Sequence, residues 1–309
     1  MFRVLSVLKS IKKVGEWSIN GFKVIFVRGP PSDLGNIISL KEAVNQQLLD
    51  VSEVTPEGSV NALKVINKSE KFIIAFRGDI LVGGKQNRTI FTTVIIAPKS
   101  ENVIPVSCVE AGRWRWRTTK MRQRLKLPQL MRARNMMIEA EMPSRITLTE
   151  RRVQHFIQRE TWDNISSRIT VLAAISDTED VVEVMSKKVG EEEIPIPNDA
   201  QGIILIYDGK IVGGEIFFIP VDKSYLRESI ISAYFDYLYY KKAISKVKLK
   251  IKSLEELMNE LNTCKTEDKG SLFAEKVTLL KSNKVIGFLT SFEGKPIHLE
   301  FTALIGVQK

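Results

Sequence analysis

Three strings in this 309-residue chain combine residue types and spacings that suit chemistry. The first is Gly83-Gly84-Lys85-Gln86-Asn87-Arg88. Paired glycines reach backbone conformations closed to other residues and let a ligand approach the main chain. Successive N–H groups there form an anion-binding nest, and Lys85 and Arg88 add charge. Gln86 and Asn87 both donate and accept, which suits a base, an amide or a ribose. The Walker pattern is absent, so a P-loop nucleotide hydrolase is not supported.

The second string runs from Ile104 to Trp114 and contains Ser107-Cys108-Val109-Glu110. Strand alternation puts Cys108 and Glu110 on one face. A catalytic Cys108 needs a base or an electropositive field, which Lys85, Arg88 and Arg113 can supply; a buried inert thiol is the plainer reading. The third is Arg113-Trp114-Arg115-Trp116-Arg117. On a strand, three guanidinium groups line one face and two indoles the other, to clamp phosphate and to anchor in the core or stack on bases. Far along the chain, His298 and Glu300 alternate on one strand face, and Asp79 sits beside Gly78. Together they could hold a divalent metal, but no carboxylate-rich motif has metal spacing. No metal or other cofactor is expected.

The elements that must position these residues read as follows. Residues 1–13 have an amphipathic helical pattern, and 17–27 read as one or two strands. Ser39 with Glu42 forms a capping box for a helix through Leu48. Residues 51–54, 60–66, 71–76, 80–82, 89–97 and 103–109 are short β-branched runs, predicting a meandering antiparallel region. Pro128 breaks or kinks any helix in the basic segment. Thr147 with Glu150 is a second capping box, opening a helix over 151–166; another spans 178–189. Residues 190–201 read as a linker or long loop. A hairpin turns at Asp208-Gly209, helices follow over 224–244 and 253–264, and strands end the chain near 275–281, 285–292 and 296–304. Residues 73–84 and 203–214 echo each other, more loosely 277–287, and chance resemblance of hairpins accounts for it. Strand runs mixed with helix runs give an α+β fold. It is read as one two-lobed unit, with a β-rich lobe over 1–135 and a helical plus terminal-sheet lobe over 136–309.

Composition bounds the function. Two cysteines rule out a disulfide framework and fit a reducing cytoplasm. No apolar run is long enough to span a bilayer. The first 150 residues carry 24 Lys and Arg against 13 Asp and Glu, and Arg113 to Arg134 holds nine basic residues and no acidic one. A partner drawn by charge meets that segment: Arg115, Arg117, Lys120, Arg122, Arg124, Lys126, Arg132 and Arg134. A solvated or lobe-bridging helix is the bland alternative.

Gly78-Asp79-Ile80-Leu81-Val82 with 83–88, and residues 103–114, resemble the signature of a prokaryotic family, the ADP-ribosylglycohydrolase- and rhodanese-phosphatase-associated protein domain. The resemblance extends to residues 39–43, 54–60, Trp162, 212–220 and Pro296-Ile297-His298-Leu299. It implies work near ADP-ribose, NAD-derived nucleotides or related nucleotide signals, without implying catalysis. The resulting expectation is a cytoplasmic protein that binds an ADP-ribose-like or other phosphorylated nucleotide ligand, with processing of that ligand left open. Lys85, Arg88 and Arg113 hold phosphate in that reading, and Gln86 and Asn87 read the polar moiety. Asp79, Gly83, Gly84 and Trp114 complete the site, with Glu110 and His298 as the acid–base pair. The rival is a nucleic-acid-binding module on the basic segment. The strings 83–88 and 108–114 are expected to meet at one concave site, through pairing of 89–97 with 103–109 and with Arg88 exposed.

Overall fold

The computed structural model describes residues 8–189, 193–243 and 251–303. Most of the expected first helix, and the first three residues of the linker expected over 190–201, lie outside them. Lys12 and Lys13 are not helical but open strand β1 (Lys12–Ile19), which pairs with β2 (Phe22–Arg28). After β3 (Ile37–Ser39), the Ser39 hydroxyl accepts the Glu42 amide at 3.2 Å and caps α1 (Leu40–Asn45), as the capping box requires. Six short strands follow, β4 (Leu49–Glu53), β5 (Ala62–Asn67), β6 (Phe72–Ala75), β7 (Asp79–Gly84), β8 (Arg88–Ile90) and β9 (Val94–Ile96). Then come β10 (Glu101–Cys108) and β11 (Thr118–Lys126).

The single strand expected over 89–97 is in fact two strands in different sheets. Buried Arg145 bonds Thr92 Oγ1 and the Thr93 carbonyl between them, an internal anchor that local sequence does not signal. The basic segment is not one helix: it runs through a loop at 113–117 and strand β11, and of its basic residues only Arg132 and Arg134 are helical. Met121, Gln123 and Leu125 turn inward while Lys120, Arg122 and Arg124 face solvent, a period of two. Pro128 then sits at the N-cap of α2 (Gln129–Glu141), where a missing N–H costs nothing. The second expected capping box does not form. Thr147 lies in a 3₁₀ turn (Arg145–Thr149), and α3 (Arg151–Val171) starts at Glu150 without a side-chain cap.

Asp180 caps α4 (Val181–Lys188) by accepting the Val182 amide. Strands β12 (Gly202–Tyr207) and β13 (Lys210–Phe217) form the expected hairpin. Asp208 and Gly209 both have positive φ, 48° and 78°, the geometry of a tight primed turn. Helices α5 (Lys223–Ala243) and α6 (Leu254–Thr263) follow. The charged strand β14 (Lys265–Gly270), which sequence reading missed, precedes β15 (Lys276–Lys281), β16 (Ile286–Phe292) and β17 (Lys295–Thr302).

The fold is α+β and mostly antiparallel. One sheet runs β1-β2-β12-β13-β17-β16-β15-β14, a second β11-β7-β8-β10-β5-β4, and a third β3-β6-β9; β3 and β6 pair in parallel. One face of the first sheet packs Ile204, Ile211 and Phe218 against Leu257 and Leu261 of α6. Its other face packs Phe22, Phe26 and Tyr207 against Tyr225, Ile230 and Tyr237 of α5, against Ile74 of the third sheet and against Phe76 just past β6. Each such buried side chain contributes roughly 1.5–3 kcal/mol. The sequence echo is not a shared unit: β12 and β13 make a hairpin, whereas β6 and β7 belong to separate sheets.

Candidate functional site

The two expected strings do meet. Strand β8 pairs antiparallel with β10, placing Arg88 opposite Cys108, Thr89 opposite Ser107 and Ile90 opposite Val106. The bend before β8 is shaped by Gly83 and Gly84, with φ of 122° and 55°. A side chain at Gly83 would lie 2.3 Å from Thr118 Oγ1, so glycine is required by space as well as by conformation. The Gly83 amide donates to Asn87 Oδ1 at 3.1 Å. Asn87 then reaches two carboxylates. Its backbone amide donates to Glu110 Oε2 at 3.0 Å, and its Nδ2 donates to Asp180 Oδ2 at 2.9 Å.

Glu110 is fully buried and saturated. Arg113 Nε and Nη2 form a fork on it at 2.7 Å each, and Thr178 Oγ1 donates at 3.1 Å. Burial alone would raise the Glu110 carboxyl, but Arg113 and the Asn87 amide overcome it and hold the group below the ordinary carboxylate range. Asp180, bridged to Glu110 across a β-bridge, is pushed the other way by burial and by the Glu110 charge. Two carboxylates joined by one asparagine thus differ in proton affinity, the arrangement that separates an ionised group from a proton carrier. A cleft of 160 Å³ opens beside them, lined by Gly83, Asn87, Asp180, Arg117, Arg122 and Arg124 among others. Arg117 Nη2 lies 3.9 Å from Glu110 Oε1. Arg122 and Arg124 are exposed and have no acidic partner among the described residues.

Several expected roles change. Arg88 is not exposed but fully buried. The amide nest is already occupied, since the Lys85 amide donates to Glu53 Oε1 at 2.8 Å. Lys85 Nζ bonds the Glu57 carbonyl at 2.9 Å and lies 5.5 and 5.6 Å from the Trp114 and Trp116 rings. Arg113 is buried on Glu110 and on the Gly84 and Arg115 carbonyls, so it orders the site instead of holding phosphate. Gln86 donates to the Glu110 carbonyl at 2.8 Å and accepts the Cys108 thiol at 3.0 Å. Burial raises the Cys108 thiol above its ordinary range, against the pull of Arg88, which disfavours the thiolate that a nucleophile needs.

Residues 113–117 form a loop, not a strand. Only Arg113 turns inward, and neither indole anchors the core: Trp114 is 45% and Trp116 48% exposed. Of the basic segment, Lys126 and Arg132 are buried on Glu215, at 2.7 and 3.2 Å, and Arg134 bonds Glu160 at 2.8 Å. These three are structural. Arg115, Arg117, Lys120, Arg122 and Arg124 remain on the surface, Lys120 paired with Asp50 at 3.0 Å.

His298 is not brought to Glu110. It stacks on Phe217 at 4.9 Å in the eight-stranded sheet, 3.5 Å from Glu215, and burial lowers its proton affinity. Glu300 turns instead to Arg77, at 2.5 Å. Asp79 accepts the Phe76 amide at 3.0 Å and the Tyr225 hydroxyl, and burial pushes it up to about 6 against Lys126. Among the described residues no group of three or more His, Cys, Asp or Glu is placed to hold a metal. Sequence reading missed Asp180, Thr178 and Glu53. Asp180 had a signal, an Asp three residues before Glu183 at the start of an apolar helix; Glu53 had none.

A family model described as the ARG and Rhodanese-Phosphatase-superfamily-associated Protein domain matches residues 11–302. No curated protein and no solved structure matches the chain. The chain belongs to that family.

Proposed function

We propose that this family member binds an ADP-ribose-like or other phosphorylated nucleotide ligand, with phosphate held over Arg117, Arg122 and Arg124. One observation carries the reading: two exposed arginines without acidic partners converge with a third on a cleft whose floor is polar and ordered. Such guanidinium groups favour phosphate through charge-assisted hydrogen bonds. Asn87, pinned from both ends, and Asp180, the carboxyl with raised proton affinity, offer the ligand directed polar contacts. In this reading Asp180 replaces His298 as the partner of Glu110. Two free cysteines support a reducing, cytoplasmic setting, and no described helix is long and apolar enough to cross a membrane.

A nucleic-acid reading has its own support: Arg115, Arg117, Lys120, Arg122 and Arg124 lie exposed beside the open indoles of Trp114 and Trp116. Calorimetric titration with ADP-ribose, NAD and a short oligonucleotide at two salt concentrations separates the two. The nucleotide reading requires saturation at one ligand per chain, weak salt dependence, and a loss of about tenfold or more in Arg122→Ala. Failure of both nucleotides to bind, with oligonucleotide affinity falling steeply as salt rises, transfers the assignment to nucleic acid.

A further inference from the structure

Behind the bend, on the side of Lys85 and Arg88, lies a closely packed niche whose polar contacts include none of the cleft arginines. Its walls are two glycines in left-handed conformations, Gly58 at φ 80° and Gly84 at φ 55°. Its contents are the carboxylate of Glu53. A Cβ on Gly84 would come within 2.8 Å of Glu53 Oε1, and one on Gly58 within 3.2 Å of Glu53 Oε2. The Lys85 amide donates to Oε1, and Arg88 Nη2 stands 3.7 Å from the same oxygen. The indole of Trp114 covers the niche, 5.6 Å from the Arg88 guanidinium carbon.

The charges in this niche do not match. Arg88 is fully buried, yet among the described residues its side chain's only hydrogen bond is to the Ser59 carbonyl at 3.2 Å, and Nε and Nη1 have no acceptor. Glu53 Oε2 is equally without a donor. A buried arginine left this way costs stability unless an anion with more acceptor oxygens takes its place. A carboxylate supplies two oxygens and already leaves two guanidinium nitrogens unmet. A tetrahedral phosphate supplies more, and can accept from the Lys85 amide and from Arg88 together.

We propose that Gly58, Gly84, the Lys85 amide and Arg88 form a phosphate-oxyanion site, and that the Glu53 carboxylate occupies it as a built-in competitor. The segment 54–61 closes over it, tied by Lys85 to the Glu57 carbonyl and by Arg88 to the Ser59 carbonyl. A phosphate entering the niche displaces Glu53 and takes over the cationic contacts of those two carbonyls. The proposal does not depend on the cleft reading, because Arg117, Arg122 and Arg124 take no part in it.

Calorimetry with inorganic phosphate, and separately with ribose 5-phosphate, tests it on the full chain. Glu53→Gln keeps the shape and removes the competing charge, so phosphate should bind tenfold or more tighter than to the wild type. Adding Arg88→Met should abolish that gain, and adding Arg122→Ala with Arg124→Ala should leave it intact. A further gain for ribose 5-phosphate assigns the site to phosphomonoesters, and none assigns it to free phosphate. Unchanged phosphate affinity in Glu53→Gln, or a gain that survives Arg88→Met, overturns the proposal. If Glu53→Gln does not fold, tryptophan fluorescence carries the test: millimolar phosphate should change it, and either Trp114→Phe or Arg88→Met should remove that response. Persistence of the response in Arg88→Met overturns the site equally.

Discussion

Arg77 and Arg88 are both fully buried, and their surroundings are opposites. Every nitrogen of Arg77 is used. Nη2 meets Glu139 at 2.7 Å, Nε meets Glu300 at 2.5 Å, and Nη1 donates to the Phe91 carbonyl at 2.9 Å. Arg145 continues the network, on Glu139 at 3.2 Å and on Glu275. Burial would raise the Glu139 carboxyl, but Arg77 and Arg145 together keep it low. This network joins β17, α2 and the turn between β8 and β9, so its charges serve the architecture. Arg88 joins nothing comparable, and its guanidinium is the easier of the two to deprotonate because burial outweighs Cys108 and Glu53. Complete matching marks a group the fold needs; incomplete matching in an equally dry place marks a group kept for something else.

The largest effect should come from breaking the matched side. Glu139→Ala leaves Arg77 and Arg145 short of a buried carboxylate and should lower unfolding free energy by about 3–5 kcal/mol, measured by urea denaturation. The intermediate effect concerns Asp79, a carboxyl between these extremes. Folded, it keeps its proton to about 6, against 3.8 for an ordinary aspartate. The folded state therefore binds more protons in that window, and Asp79 costs stability as pH rises through it, by about 3 kcal/mol. Asp79→Asn should accordingly become relatively more stable, against the wild type, between pH 4 and 6; a difference independent of pH would refute the assignment. The smallest effect should have the opposite sign to the first. Arg88→Met combined with Glu53→Gln removes both loosely matched buried charges and should leave the melting temperature unchanged or raise it, with a gain of up to about 1 kcal/mol. A loss comparable to Glu139→Ala would erase the contrast.

Sequence made the near half of the site legible. Arg88 and Glu110 are close because β8 and β10 are close in sequence and pair in the register that their alternation allows. Local signals also placed the Ser39 cap, the Asp208-Gly209 turn and the α5–α6 pair. Long-range partners were hidden. Lys126 and Arg132 look like neighbours of Arg124 in sequence, but Glu215 draws them inside, and nothing within the segment separates a strand face from a buried end. Trp114 and Trp116 have the composition of core anchors; the loop that holds them instead follows from Arg113 turning inward onto Glu110. Glu53 belongs to an unremarkable strand end, and only the two glycines that meet it give it significance.

The eight-stranded sheet has a consequence for synthesis. Strand β2, with Phe22, Val24, Ile25, Phe26 and Val27 all buried in the finished protein, hydrogen-bonds β12, which the ribosome delivers roughly 170 residues later. At about 5–20 residues per second, the nascent chain carries that apolar ribbon without its partner for on the order of ten to thirty seconds. During that interval its only ladder is the hairpin with β1, which leaves the other edge of β2 open to any extended chain nearby. The charges of β1, where Lys12, Lys13 and Glu16 are exposed, then act as a solubilising escort until β12 arrives.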